Sequence, residues 1–211
     1  MIVETFPVGM LACNCTILGD AESGEAIVID GGDDVDGIAM RLARHGLTPR
    51  YLVHTHAHFD HIGTLGPLRE RCGGAGLLHH ADRPLYATMG EQARRIGIPG
   101  TFAPVALDGD LTDGDELRAG ALRLRAIHTP GHTPGSTSFA IDDGDETTLF
   151  TGDTLFRGAV GRWDLGGTSL ADIVDSIRTK LLVYPDTARV VCGHGPPTTI
   201  GLERTTNPFL A

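Results

Sequence analysis

The chain has 211 residues, enough for one domain with a substantial core. Lys and Arg number 17 against 27 Asp and Glu, a net charge of −10, which argues against the basic field a nucleic-acid binder carries. Hydrophobic residues at 41% and charged residues at 21% describe a globular composition and argue against long disorder.

In chain order, short apolar runs punctuated by Gly, Asp and Pro predict strands over Ile2–Val8, Leu11–Leu18 and Ala26–Asp30. After Asp33, the residues Val35, Ile38, Ala39 and Leu42 share one helical face, and Gly46 is a natural stop. A strand over Tyr51–His54 leads to a helix from Ile62 to near Arg71, then to strands over Leu77–His79, Leu122–Ile127, Thr137–Ile141 and Thr147–Phe150. Ser169 caps a helix carrying Leu170, Ile173, Val174, Ile177 and Leu181, and Arg189–Cys192 is a last strand. The acidic stretches Asp108–Glu116 and Asp142–Glu146 lack calcium-loop spacing and read as solvated turns. This order predicts a layered α/β domain with mixed sheets, one domain over residues 1–211. No secretory leader and no membrane-spanning run is visible, so a cytoplasmic location is expected. Cys13, Cys15, Cys72 and Cys192 form no C-x-x-C pair and read as free thiols, with Cys13 and Cys15 on one strand face.

The chemistry concentrates in His56-Ala57-His58-Phe59-Asp60-His61, directly after a predicted strand. Side chains alternate along a strand end, so His56 and His58 project to one side, and a turn brings in Asp60 and His61. Three imidazoles and a carboxylate within six residues would each need a partner in a core, whereas together they suit a transition metal. Three later donors also follow predicted strands: His132 in Pro130-Gly131-His132-Thr133-Pro134-Gly135, Asp153 after Thr151-Gly152, and His194 in Gly193-His194-Gly195. His54 reads as a core residue, and His45, His79, His80 and His128 as surface or capping residues.

The pattern H-x-H-x-D-H followed by His, Asp and His in this order resembles the metallo-β-lactamase superfamily of hydrolases. That resemblance implies a four-layer αββα sandwich with a metal centre at one edge of two mixed sheets. Gly152-Asp153-Thr154-Leu155-Phe156-Arg157-Gly158 and the ending Asn207-Pro208-Phe209-Leu210 look most like the short glyoxalase II-like branch, which contains hydroxyacylglutathione hydrolases. The same resemblance assigns His56, His58 and His132 to a first metal ion, Asp60, His61 and His194 to a second, and Asp153 to a bridge. It implies two divalent ions, zinc first, with iron or manganese accepted by the same donors. β-Lactamases of the zinc type commonly carry Cys where this chain has Asp153 and are exported, which argues against a lactam substrate.

The implied reaction is hydrolysis of a small-molecule thioester, S-lactoylglutathione or a related acyl-thiol. Two ions about 3.5–4 Å apart share a water, and the resulting hydroxide attacks the carbonyl carbon. Asp60 is expected to orient it, as the catalytic residue beyond its ligand role. Arg162 and Trp163, after the G-D-T-L-F segment, are candidates for gripping and walling the substrate; an ion pair between Arg162 and Asp164 is an equal alternative for Arg162. Only 17 residues follow His194, so a C-terminal helical substrate-binding domain of full-length glyoxalase II is not expected. A mononuclear iron persulfide dioxygenase of the same fold, or a lactonase, is the alternative reading. No nucleic-acid or membrane partner is expected, and the oligomeric state is left open by the sequence.

Overall fold

The computed structural model describes residues 1–164 and 167–210. A first sheet contains β1 (Ile2–Val8), β2 (Cys13–Gly19), β3 (Glu25–Ile29), β4 (Thr48–Val53), β5 (Ala75–His79) and β6 (Gly109–Leu111), in that spatial order. Pairing is antiparallel from β1 to β3 and parallel from β3 to β6. The second sheet contains β7 (Glu116–Ala119), β8 (Leu122–His128), β9 (Thr137–Asp143) and β10 (Glu146–Gly152). A small hairpin, β11 (Leu155–Phe156) and β12 (Ala159–Val160), follows, and β13 (Arg189–Cys192) and β14 (Thr198–Thr199) complete the second sheet beside β10. Both large sheets are therefore mixed: in the second, β13 runs parallel to β10 while every other neighbouring pair is antiparallel.

Period-two alternation sorts the apolar side chains into three layers of core. Ile27 and Ile29 of β3 face Leu124, Phe139, Phe150 and Val191 between the sheets. Ala26 and Val28, one residue out of phase, face outward onto α1 (Val35–Arg44) and α3 (Leu65–Cys72). In the second sheet Leu149 and Val190 turn outward onto Ile173, Ile177 and Ile200, which belong to helices on that face. The result is helix, sheet, sheet, helix: the four-layer αββα sandwich of the metallo-β-lactamase fold.

Both strongly amphipathic helices form where the pattern predicts them. The Asp34 side chain accepts from Gly37 N–H to start α1, and Gly46 follows its end with φ +65°. Ser169 Oγ accepts from Asp172 N–H to start a late helix over Leu170–Ser176, which continues as a wider turn over Ile177–Leu181. The predicted helix over 62–71 is instead two, α2 (Phe59–Ile62) and α3, broken at Gly63–Thr64. Pro67 explains the break: in α3 it occupies the first turn, but in one continuous helix its ring would meet the carbonyl four residues back.

The stretch Asp108–Glu116 is not only a solvated turn. Gly109–Leu111 adds β6 to the first sheet with Leu111 fully buried, and Glu116 begins β7. Asp142, Asp143 and Glu146 likewise belong to paired strands, leaving Gly144 and Asp145 as the turn. Short helices α4 (Arg83–Ala87) and α5 (Met89–Arg95) precede β6; the helix from Ser169 is α6 (Leu170–Ser176), and α7 (Ile200–Thr206) follows β14.

Candidate metal centre

Four strands deliver the donors to one edge of the sandwich. The segment from His56 to His61 follows β4, His132 follows β8, Asp153 follows β10 and His194 follows β13. Because β10 and β13 are parallel neighbours with Gly152 paired to Cys192, Asp153 and His194 leave the sheet side by side. The residues between them are small for a reason. A Cβ on Gly193 would collide with Asp153 Oδ1 and the His61 ring, and one on Gly152, whose φ is +48°, would collide with Thr55.

The donors gather in two groups. In the first, His58 Nδ1 lies 2.9 Å from both His56 Nε2 and His132 Nε2. In the second, His61 Nε2 and His194 Nε2 are 3.2 Å apart, with Asp60 Oδ2 at 3.2 Å from His194 and 3.7 Å from His61. Asp153 stands between them: Oδ2 is 3.6 Å from His132 Nε2, and Oδ1 is 3.5 Å from His61 Nε2 and 3.7 Å from His194 Nε2. This division places His56, His58 and His132 together, Asp60, His61 and His194 together, and Asp153 between.

Hydrogen bonds outside the cluster decide which nitrogens face inward. His132 Nδ1 faces Arg162 O at 2.7 Å and His194 Nδ1 faces Leu11 O at 3.0 Å, and carbonyls only accept, so both Nδ1 atoms carry the proton. His61 Nδ1 donates to Asp30 Oδ2 at 2.9 Å. The Thr55 hydroxyl is spent as a donor to Asp30 Oδ2 at 2.7 Å, so at 3.0 Å it accepts from His56 Nδ1. All four Nε2 atoms therefore aim into the cluster, where imidazole nitrogen faces imidazole nitrogen. One proton on His58 Nδ1 serves only one of its two neighbours, and Asp153 Oδ1 is buried without any hydrogen-bond partner. Inward-facing imidazole nitrogens and an orphaned carboxylate oxygen fit divalent metal ions, in the arrangement where outer partners on Nδ1 orient ligating histidines.

Titration follows the same division. Burial holds His56 neutral well below its usual range and pushes His58 down to about 3, with His61 and His132 adding repulsion. Burial also lowers His132. At His61 burial opposes charge, but the neighbouring Cys13, Asp30, Asp153 and Asp60 outweigh it and raise the pKa. His194 is raised too, against burial, by Asp60 and Asp153. Burial opposes ionisation of Asp60, yet His61 and His194 hold its carboxyl well below the usual range.

Arg162 makes an ion pair with Asp164 at 3.0 Å, and its backbone carbonyl accepts from His132 Nδ1. Trp163 packs edge-on against Phe209 with ring centres 6.0 Å apart. His54 is buried, as expected, with Nδ1 2.9 Å from His61 O. His79 caps the turn after β5 as expected, accepting from Ala81 N–H, but it is buried rather than at the surface. Asp30 is the partner that spacing missed. It closes β3 in a left-handed conformation, φ +54°, and accepts from Thr55 N–H, Thr55 Oγ1 and His61 Nδ1. The signal is Ile29-Asp30-Gly31-Gly32, a polar residue beside glycine at the end of an apolar run, as at Asp153 and His194.

Known proteins share this arrangement of chain. Hydroxyacylglutathione hydrolase GloC of Haemophilus influenzae is 35% identical over 214 residues, covering 100% of this chain and 98% of that protein. The crystal structure of BLEG-1 B3 metallo-beta-lactamase superposes with a TM-score of 0.89 at 34% identity, covering 99% of both chains. The structure of TTHA1623 in a di-iron-bound form gives 0.85 at 37% identity, covering 97% of this chain and 98% of that one. The family description "Metallo-beta-lactamase superfamily" matches residues 8–194, a span that runs from the end of β1 to the last donor, His194, and the chain belongs to that superfamily.

Proposed function

We propose that this chain is a binuclear metal-dependent hydrolase of thioesters, acting on S-lactoylglutathione or a related acyl-thiol. The observation that carries the reading is the convergence of four Nε2 atoms, each turned inward by an outside partner on its Nδ1, on two groups with the orphaned Asp153 Oδ1 between them. Similarity to a hydroxyacylglutathione hydrolase supports the substrate class, and similarity to a di-iron-bound structure supports two ions.

His56, His58 and His132 would hold one ion, Asp60, His61 and His194 the other, and Asp153 both. When bound, two divalent ions supply an acidified water at neutral pH and positive charge where the carbonyl oxygen becomes an oxyanion. Asp60, held ionised by His61 and His194, accepts a hydrogen bond and orients the attacking water towards the carbonyl carbon. A C–O bond forms, the C–S bond breaks, and the sulfur leaves as a thiolate, a weak base that needs no general acid. The thiol nearest the centre, Cys13, is a poor nucleophile: burial pushes its pKa up to about 12. Phe102, Leu11 and Met10 give the rim beside Asp60 an apolar surface for the substrate's carbon skeleton.

Metal analysis of the purified protein paired with thioester hydrolysis tests the reading. The expected result is two ions per chain, zinc first, and thioester turnover that falls at least about 100-fold in Asp60→Asn. A single iron with oxygen uptake on glutathione persulfide, or turnover of a β-lactam or lactone in place of thioesters, would overturn it.

A further inference from the structure

We infer that Asp82, remote in sequence from every donor, is a positioning residue that sets the geometry of the three-imidazole group. The inference rests on the metal-centre reading above and concerns how its first half is assembled. His56 and His58 come from the end of β4 in one sheet, while His132 comes from the end of β8 in the other. Their spacing of 2.9 Å therefore depends on how two loops from two sheets are held together.

Asp82 lies at the start of α4, where an Asp side chain ordinarily caps the helix by accepting from its first N–H groups. Here it makes no such bond. Both oxygens reach away from the helix instead. Oδ2 accepts from Ala57 N–H at 3.0 Å and from the Thr133 hydroxyl at 2.8 Å, and Oδ1 accepts from Gly135 N–H at 2.6 Å. Ala57 sits between His56 and His58, and Thr133 is next to His132. One fully buried carboxylate thus pins both donor loops, with no solvent to substitute for any of its bonds.

The surrounding residues are adapted to this contact. A Cβ on Gly135 would lie 2.7 Å from Asp82 Cγ and 2.7 Å from its backbone nitrogen, so the second Gly of Pro130-Gly131-His132-Thr133-Pro134-Gly135 is needed for the carboxylate to approach. Ser136 Oγ accepts from Thr133 N–H at 2.9 Å and lies 2.8 Å from the Thr133 hydroxyl, fixing the turn that presents it. The main chain adds one bond between the same loops, Thr137 N–H to Thr55 O at 2.8 Å, but it lies on the far side of His56 from Ala57.

Asp82→Asn preserves shape but leaves one acceptor oxygen, so an amide cannot receive both Ala57 N–H and Gly135 N–H. Zinc titration of the metal-stripped protein against a chromophoric chelator reads the effect on each site. Wild type is expected to show two sites, and Asp82→Asn to weaken one of them about 10- to 100-fold while the other is retained. Thr133→Val, which removes one of the three donors, is expected to weaken the same site by less, and it carries the test should Asp82→Asn not fold. In a His194→Ala background, where only the three-imidazole group is intact, the loss in Asp82→Asn should persist. Unchanged affinities, or an equal loss at both sites, would overturn the positioning role. Failure of the wild type to bind two ions would instead overturn the metal-centre reading on which it stands.

Discussion

His79 ends β5 with its ring buried, stacked 4.0 Å from His128 and 4.4 Å from His80. Burial, reinforced by those two neighbours, pushes its pKa down to about 4. An unfolded His titrates near ~6.5, so the folded chain refuses a proton that the unfolded chain accepts. This term is absent above that pH and destabilises progressively as pH falls from ~6.5 towards 4. Urea midpoints at pH 7 and pH 5 should therefore separate less in His79→Asn than in wild type; an equal separation would remove His79 from the acid response. Single residues also show what a sequence can carry. His56, His58, Asp60 and His61 are legible because they crowd into six positions, and Asp153 and His194 because each follows an apolar run and a glycine. The partners that set the tautomers are not legible, since Leu11 O and Arg162 O are backbone atoms whose use depends on where the chain returns.

At the scale of elements, the hairpin β11–β12 is a bracket between the C-terminal helix and the centre. Glu203 on α7 is fully buried and accepts from Gly158 N–H at 2.8 Å, Thr198 Oγ1 at 2.6 Å and Asn207 Nδ2 at 2.8 Å. Asn207 also donates to Ala159 O at 3.1 Å, so both residues hold the turn of the hairpin whose exit carries Arg162 O to His132. Glu203→Ala leaves the buried Thr198 hydroxyl without its acceptor and removes one acceptor each from Asn207 Nδ2 and Gly158 N–H, and should cost about 2–4 kcal/mol, with Glu203→Gln costing less. Equilibrium urea unfolding measures both, and a Glu203→Ala protein as stable as wild type would show that water replaces the carboxylate. Element legibility follows similar physics. The α1 and α6 helices are announced by caps and a 3.6-residue apolar period, whereas β6 is three residues with a single core side chain, Leu111, among Asp and Gly. Such a strand exists because β5 offers an unpaired edge, and that is a tertiary fact.

For the whole molecule, both sheets deliver donors to each half of the centre, but carboxylates surround only one half, and this makes the two halves respond differently to acid. His56, His58 and His132 resist protonation because they are buried among other imidazoles. His61 and His194 hold protons more tightly than an ordinary His, because Asp60 and Asp153 lie beside both and Asp30 beside His61. A metal ion must displace those protons to bind, so affinity falls with pH wherever the free ligand is protonated. On the second group that competition is already present at neutral pH and grows as pH drops; on the first it begins only well below the usual His range. Dialysis of metal-loaded protein at stepped pH, followed by metal analysis, should show occupancy falling from two ions towards one before the second is lost. Thermal stability should fall in the same two steps, since an ion bound only to the folded chain stabilises by mass action. Loss of both ions in one step would mean that Asp153, which stands between the two groups, couples the halves more strongly than their separate charge environments divide them.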